Sequence, residues 1–158
     1  KPVIIGNATA EKERLQALAA KLTVENSVIF VDGTYDEMDL APWFLSASAF
    51  CYPANIGLSL IHAFWYGLPV VTTENLGVQN PEIAAFKHGV NGLSYSHNSV
   101  TALTDALRQI LTDYALRNAL SDAARRTVEE EYTIPKMVDG LEAAIRFAAT
   151  NSSGTLHP

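Results

Sequence analysis

Cysteine occurs once in these 158 residues, at Cys51, which excludes an intramolecular disulfide and favours a reducing compartment. Positive charge is scarce too: 11 lysines and arginines stand against 17 aspartates and glutamates, a formal charge of −6. Such a surface repels phosphate polymers and anionic membranes from any face without a local basic patch, and the adjacent Arg125 and Arg126 belong to no longer basic run. No nucleic-acid partner is expected. No stretch reaches the roughly 18 apolar residues of a membrane span, and Lys1-Pro2-Val3-Ile4-Ile5-Gly6 is too short for a signal-peptide core. Internal repeats and low-complexity tracts are missing. The chain reads as soluble and cytoplasmic, and it starts on an apolar run without methionine, as though cut from something larger.

With 48% hydrophobic residues, the chain is long enough to bury one real core and too short for two independent ones. The β-branched runs Pro2 to Gly6 and Asn26 to Val31 read as buried strands. Between them Leu15, Leu18, Ala19 and Leu22 repeat at helical spacing, with Thr9 placed to cap the helix. A helix over Asp36 to Ser46, a strand at Ala49 to Tyr52, another at Pro69 to Thr72 and a short one at Leu93 to Tyr95 follow. Strands that alternate with helices predict an α/β domain with a Rossmann-like parallel sheet flanked by helices. Asn75 to Gly92 reads as a long, partly structured connection of the kind that is often functional. Three helical stripes come after it: Val100, Leu103, Leu107, Ile110 and Leu111; then Leu116, Ala119, Leu120 and Ala123; then Met137, Leu141, Ala144 and Ile145. These helices are expected to cover the sheet. Residues 1–149 form the expected domain and 150–158, without apolar periodicity, a frayed tail.

Open parallel sheets bind ligands beyond the carboxyl ends of their strands, where helix N-termini present unpaired N–H groups to anions. Tyr52-Pro53-Ala54-Asn55-Ile56-Gly57-Leu58 stands at such a place, between a strand end and a helix expected to begin near Ile56. Its backbone is suited to a diphosphate, although Gly57 alone is not a glycine-rich loop.

Residues 53–74 resemble the donor-site segment of the group 1 (family 4) glycosyltransferases of GT-B fold, P-S-x-x-E-G-F-G-L-x-x-x-E-A-x-A-x-G-x-P-V-V, through Gly57-Leu58, Ala63, Gly67 and Pro69-Val70-Val71. "KPVIIGNATAEKERLQALAAKL" is similar to the family's strand, glycine and helix unit. "NSVIFVDGTYDEMDLAPWFLSASAFCYP" resembles its N-V-x-F-x-G segment, and "NPEIAAFKHGVNGLSY" its P-E-x-x-x-x-G-x-N-G loop. The resemblance runs over about residues 3–149 and implies the C-terminal, donor-binding half of a GT-B enzyme. It implies that the Gly57 and Leu58 amides face the diphosphate of a nucleotide sugar, that the turn at Asp32-Gly33-Thr34 lies near the base, and that the second glutamate position lies near the ribose. It also implies an absent acceptor-binding N-terminal domain, an absent first strand and helix, and, for a longer product, peripheral contact with a membrane.

The sequence departs from the family where two glutamates are usual: Ala54 and His62 occupy those positions. Ala54 has no acceptor for a sugar hydroxyl. His62 shares a helical face with Leu58, Ile61 and Trp65, so it either bonds the ribose or is a helix histidine satisfied by a backbone carbonyl. Histidine at that position also resembles a subgroup of bacterial capsule and O-antigen enzymes. Glu82 either accepts from sugar hydroxyls or complements a helix dipole, and Asn55 either donates to the donor or caps the next helix. Glu74 and Asn75 read as turn residues. Trp43, Phe64 and Trp65 read as core, and the separated His88 and His97 are not a metal-ligand pattern. No catalytic residue, metal or cofactor is expected beyond the nucleotide-diphosphate sugar itself. The expected function is donor binding in transfer of a sugar to a polysaccharide or lipid-linked acceptor. The alternatives are a degenerate nucleotide-sugar-binding module without turnover and an epimerase-like or flavodoxin-like fold.

Overall fold

A computed structural model describes residues 1–7 and 9–151. The chain divides into two compact units, residues 1–46 and 47–158.

The first unit runs β1 (Val3–Ile5), α1 (Ala10–Lys21), a 3-10 turn (Glu25–Ser27), β2 (Ile29–Val31) and α2 (Glu37–Ser46). β1 and β2 pair in parallel, Val3 opposite Ile29 and Ile5 opposite Val31. Thr9 caps α1 as expected, its hydroxyl accepting the Lys12 N–H at 3.4 Å, and Glu11, Glu13 and Lys21 complement the helix dipole at its two ends. Among the described residues only Ala19 and Phe44 are buried apolar groups of this unit, while Leu18 and Leu22 are 41% and 58% exposed.

The second unit holds β3 (Phe50–Cys51), α3 (Leu58–Trp65), β4 (Val70–Thr73), β5 (Gly92–Tyr95), α4 (Val100–Thr112), α5 (Tyr114–Glu131) and α6 (Ile134–Asn151). Its sheet has the order β3-β4-β5, all parallel, with Phe50 opposite Val70 and Val70 opposite Gly92. β4 is buried along its whole length, which explains a valine and threonine run without alternation. Against this sheet, Val71, Leu93 and Tyr95 pack with Ala106 and Ile110 of α4 and Leu120 of α5. Leu60 and Phe64 of α3 and Ala124 and Val128 of α5 are fully buried as well. Each large side chain so covered contributes about 1.5–3 kcal/mol of transfer free energy. Ser99 caps α4 and Asp113 caps α5, through the Ala102 and Leu116 amides at 3.1 and 2.9 Å.

The fold is α/β, with parallel sheets flanked by helices, and every expected strand is present. Hydrogen bonding forms one two-stranded and one three-stranded parallel sheet, in different units. The expectation that the third helical stripe covers the sheet is corrected. No residue of α6 is buried, and Met137, Leu141 and Ile145 are exposed. Trp65 is 44% exposed rather than core, whereas Phe64 is fully buried. Of the expected tail, Thr150 and Asn151 belong to α6. Thr150 Oγ1 bonds the Arg146 and Phe147 carbonyls and Asn151 Nδ2 bonds the Phe147 carbonyl, extending the last turn of α6, and residues 152–158 lie outside the described ones. Among the described residues no helix is long and apolar enough to cross a membrane.

Candidate functional site

The loop from Tyr52 to Gly57 leaves the carboxyl end of β3 and enters α3. Asn55 adopts φ 57°, a left-handed conformation that asparagine tolerates better than most residues. Every backbone polar group of Asn55 and Ile56 is bonded to the segment 78–80. The Asn55 N–H donates to the Val78 carbonyl at 2.7 Å, and the Asn55 carbonyl accepts from Asn80 Nδ2 at 2.8 Å. The Ile56 N–H donates to Gln79 Oε1 at 3.0 Å, and its carbonyl accepts the Asn80 N–H at 3.3 Å.

Gly57, not Asn55, is the N-cap of α3, so the capping reading of Asn55 is corrected: its side chain makes no bond to the helix start. Gly57 supplies no side-chain acceptor either, and the first turn of α3 has no acidic residue. No side chain caps the opening amides of this helix; the Leu60 N–H turns back to the Gly57 carbonyl at 2.9 Å, and a helix start without a side-chain cap is the arrangement that attracts an anion. A Cβ on Gly57 would stand 3.3 Å from Asn80 Nδ2 and 3.8 Å from Glu82 Oε2. The absence of a side chain thus lets the 80–82 segment close on the helix start.

Four of the expected site residues therefore meet here: Asn55, Gly57, Leu58 and Glu82. Leu58, the first residue of α3, is 74% exposed. Glu82 is half-buried in the first turn of the 3-10 segment Pro81–Ala85. His62 lies one turn into α3, half-buried, its ring edge-on to Tyr66 with centroids 5.4 Å apart. Gly33 belongs to the first unit. There a Cβ would meet Asn7 Oδ1 at 2.6 Å and the Asn7 nitrogen at 2.9 Å, so only glycine fits the turn after β2. Beside it Lys12 Nζ donates to Asp32 Oδ1 at 2.5 Å and to the Gly6 and Val31 carbonyls at 3.5 and 3.4 Å, joining the carboxyl ends of β1 and β2.

An open cavity of about 280 Å³ lies at the carboxyl ends of β3 and β5, with Pro53, Ala54, Tyr95, His97 and Leu103 in its wall. Burial raises the Tyr95 phenol above its ordinary value, and Cys51 adds to the effect. His97 Nδ1 lies 3.1 Å from Thr73 Oγ1, and His88 Nδ1 accepts the Ser94 N–H at 2.9 Å, so both histidines serve loop structure. Asn75 caps a 3-10 turn through the Gly77 N–H at 3.0 Å, as its turn reading implies. Among the described residues no group of three His, Cys, Asp or Glu side chains could hold a metal ion.

Sequence reading met Gln79 only within the segment Gln79-Asn80-Pro81-Glu82 and gave no role to it, to Thr72 or to Lys12. Their roles depend on contacts between segments distant in the chain, which no local periodicity records.

Comparison with known proteins places this geometry. The sequence profile of the family "Glycosyl transferases group 1" matches residues 1–127. An uncharacterized glycosyltransferase of Haemophilus influenzae is 29% identical over 140 residues, 86% of this chain and 37% of that protein. Among solved structures, WaaG, a glycosyltransferase involved in lipopolysaccharide biosynthesis, is 29% identical with a TM-score of 0.66, over 81% of this chain and 33% of its own. HepE of Anabaena in complex with UDP is 16% identical with a TM-score of 0.76, over 91% of this chain and 40% of its own, a likeness of fold. The chain thus spans little more than a third of the curated relative it matches. With the profile extending over most of its length, this chain belongs to the group 1 glycosyl transferases.

Proposed function

We propose that this chain binds the nucleotide-diphosphate sugar for a glycosyltransferase that moves the sugar to a polysaccharide or lipid-linked acceptor. The observation that carries the reading is the uncapped start of α3 at Gly57 and Leu58, at the carboxyl end of a parallel sheet and free of acidic residues in its first turn. Oriented amides and the positive end of a helix dipole are what a leaving diphosphate requires, because its charge grows in the transition state. The Gly57 and Leu58 amides hold the diphosphate. Asn55 shapes the turn before them, His62 meets the ribose one turn along, and Glu82 accepts from sugar hydroxyls beside Gly57. The solved complexes of HepE with UDP and with UDP-glucose support a uridine nucleotide as the first donor to try. The involvement of WaaG in lipopolysaccharide biosynthesis supports a cell-surface glycan as the acceptor.

One observation favours a second reading, binding without turnover: Ala54 puts no acceptor on the cavity wall where the resembled family has a carboxylate.

Calorimetric titration of the chain with UDP- and GDP-sugars, repeated on His62→Ala, tests the reading. Donor binding that weakens in the variant is expected. No binding to any nucleotide sugar overturns the proposal, and unchanged affinity in the variant removes His62 from it. Release of UDP from UDP-glucose by a longer protein that contains this chain separates the transferring enzyme from the binding module.

A further inference from the structure

The side-chain amide of Gln79 joins three segments of the second unit. Its Oε1 accepts the Ile56 N–H at 3.0 Å, and its Nε2 donates to Thr72 Oγ1 at 2.8 Å and to the Thr73 carbonyl at 3.5 Å. Thr72, fully buried in β4, donates its own hydroxyl hydrogen bond to the Tyr52 carbonyl at 2.7 Å, just past the end of β3. Each partner fixes the next. Turning the Gln79 amide over would set its NH₂ against the Ile56 N–H and its oxygen against the Thr73 carbonyl, so this orientation is the only one that satisfies all groups.

We propose that Gln79 is a positioning residue for diphosphate binding: with Thr72 it locks the Tyr52–Gly57 loop so that the first amides of α3 stay open to the ligand. The proposal rests on the donor-binding reading above and adds to it a residue outside the helix. Gln79 takes the Ile56 N–H out of competition for the anion, while the Val78 carbonyl does the same for the Asn55 N–H. What remains for the phosphates is the start of α3, in one geometry, with the left-handed Asn55 held from both sides. Ile56 is fully buried, so its amide has little water to turn to when Gln79 is removed. The loop must then shift to satisfy it, carrying Gly57 along.

The test compares Gln79→Ala, Thr72→Val and the double variant in the full chain. Ile56 amide exchange is followed by NMR, UDP and UMP affinity by calorimetry, and folding by the thermal midpoint. Thr72→Val keeps the shape of the strand and leaves the Ile56 acceptor in place, so it reports on the lock even where Gln79→Ala lowers the midpoint. Each single variant should speed Ile56 exchange and weaken UDP about tenfold while changing UMP much less, and the double variant should be no worse than the weaker binder of the two. Unchanged Ile56 exchange in Gln79→Ala, equal losses for UDP and UMP, or losses that multiply in the double variant would overturn the proposal. If the native chain binds neither nucleotide, the donor reading fails with the binding half of this proposal, and Ile56 exchange alone shows whether the lock exists.

Discussion

Asn91 Nδ2 donates to Thr127 Oγ1 across 3.2 Å, tying the turn before β5 to the middle of α5. The same amide donates to the Ala85 carbonyl at 2.9 Å, and its Oδ1 accepts the Lys87 N–H at 2.7 Å, so a fully buried asparagine leaves no polar atom unpaired. Asn91→Ala should cost about 2–4 kcal/mol in urea denaturation, because the Ala85 carbonyl and Lys87 N–H are left without partners. Asn91→Asp keeps an acceptor for Lys87 but no donor for Ala85, and should remain well below the native midpoint.

Gly92 and Gly89 differ in kind. A Cβ on Gly92 would collide with the Val70 carbonyl, in the packed interior, and stand 2.6 Å from Cε2 of the half-buried Phe86. Gly89 has a φ of 73° and nothing within 4 Å of a Cβ. Gly92→Ala should cost roughly 3 kcal/mol or more, or prevent folding, while Gly89→Ala should cost only about 1–2 kcal/mol of left-handed strain. Paired thermal melts distinguish them.

At Asn55 the φ of 57° sets the outcome of substitution. Asn55→Gly should leave the unfolding free energy within about 0.5 kcal/mol of native, whereas Asn55→Val should lose about 1–2 kcal/mol and weaken UDP binding with it. Equal UDP affinity in the two variants would show that the turn does not shape the helix start.

The hydrogen bond from Lys12, and then its charge, hold the Asp32 carboxyl below the ordinary range near pH 3.9. The folded value is the lower one, so the pair's contribution is complete above that range and disappears as pH falls through the depressed value. The carboxylate is exposed, which keeps the effect small. A carbon-13 titration should place the Asp32 midpoint below about 3.9, and Lys12→Met should move it upward.

The strands were readable because their apolar runs are short and bounded by glycine and proline, and the start of α1 because Thr9 is a good cap. The division into two sheets was not readable: Val3 to Ile5 and Val70 to Thr73 have the same β-branched character, and nothing local says which strands will pair. The stripe of α6 is as regular as those of α4 and α5, yet periodicity reports only that a helix has an apolar face, not what lies against it. At the candidate site, the strand end before Tyr52 and the resemblance through Gly57-Leu58 pointed to Gly57, while the hold of Gln79 on Ile56 joins positions 23 apart and has no sequence signature.

The unequal cores of the two units bear on how the chain opens. With only Ala19 and Phe44 buried among the described apolar residues of the segment 1–46, that segment has little to oppose fluctuation, whereas β4 is enclosed on both faces. Native-state breathing should therefore begin around Ile4 and Phe30 and reach Val70 and Val71 last, at a free energy close to that of complete unfolding. The α3 platform would then persist through openings that release the β1 and β2 ladder, and a protease acting on those transient states would trim the amino-terminal segment before it reached the Tyr52–Gly57 loop.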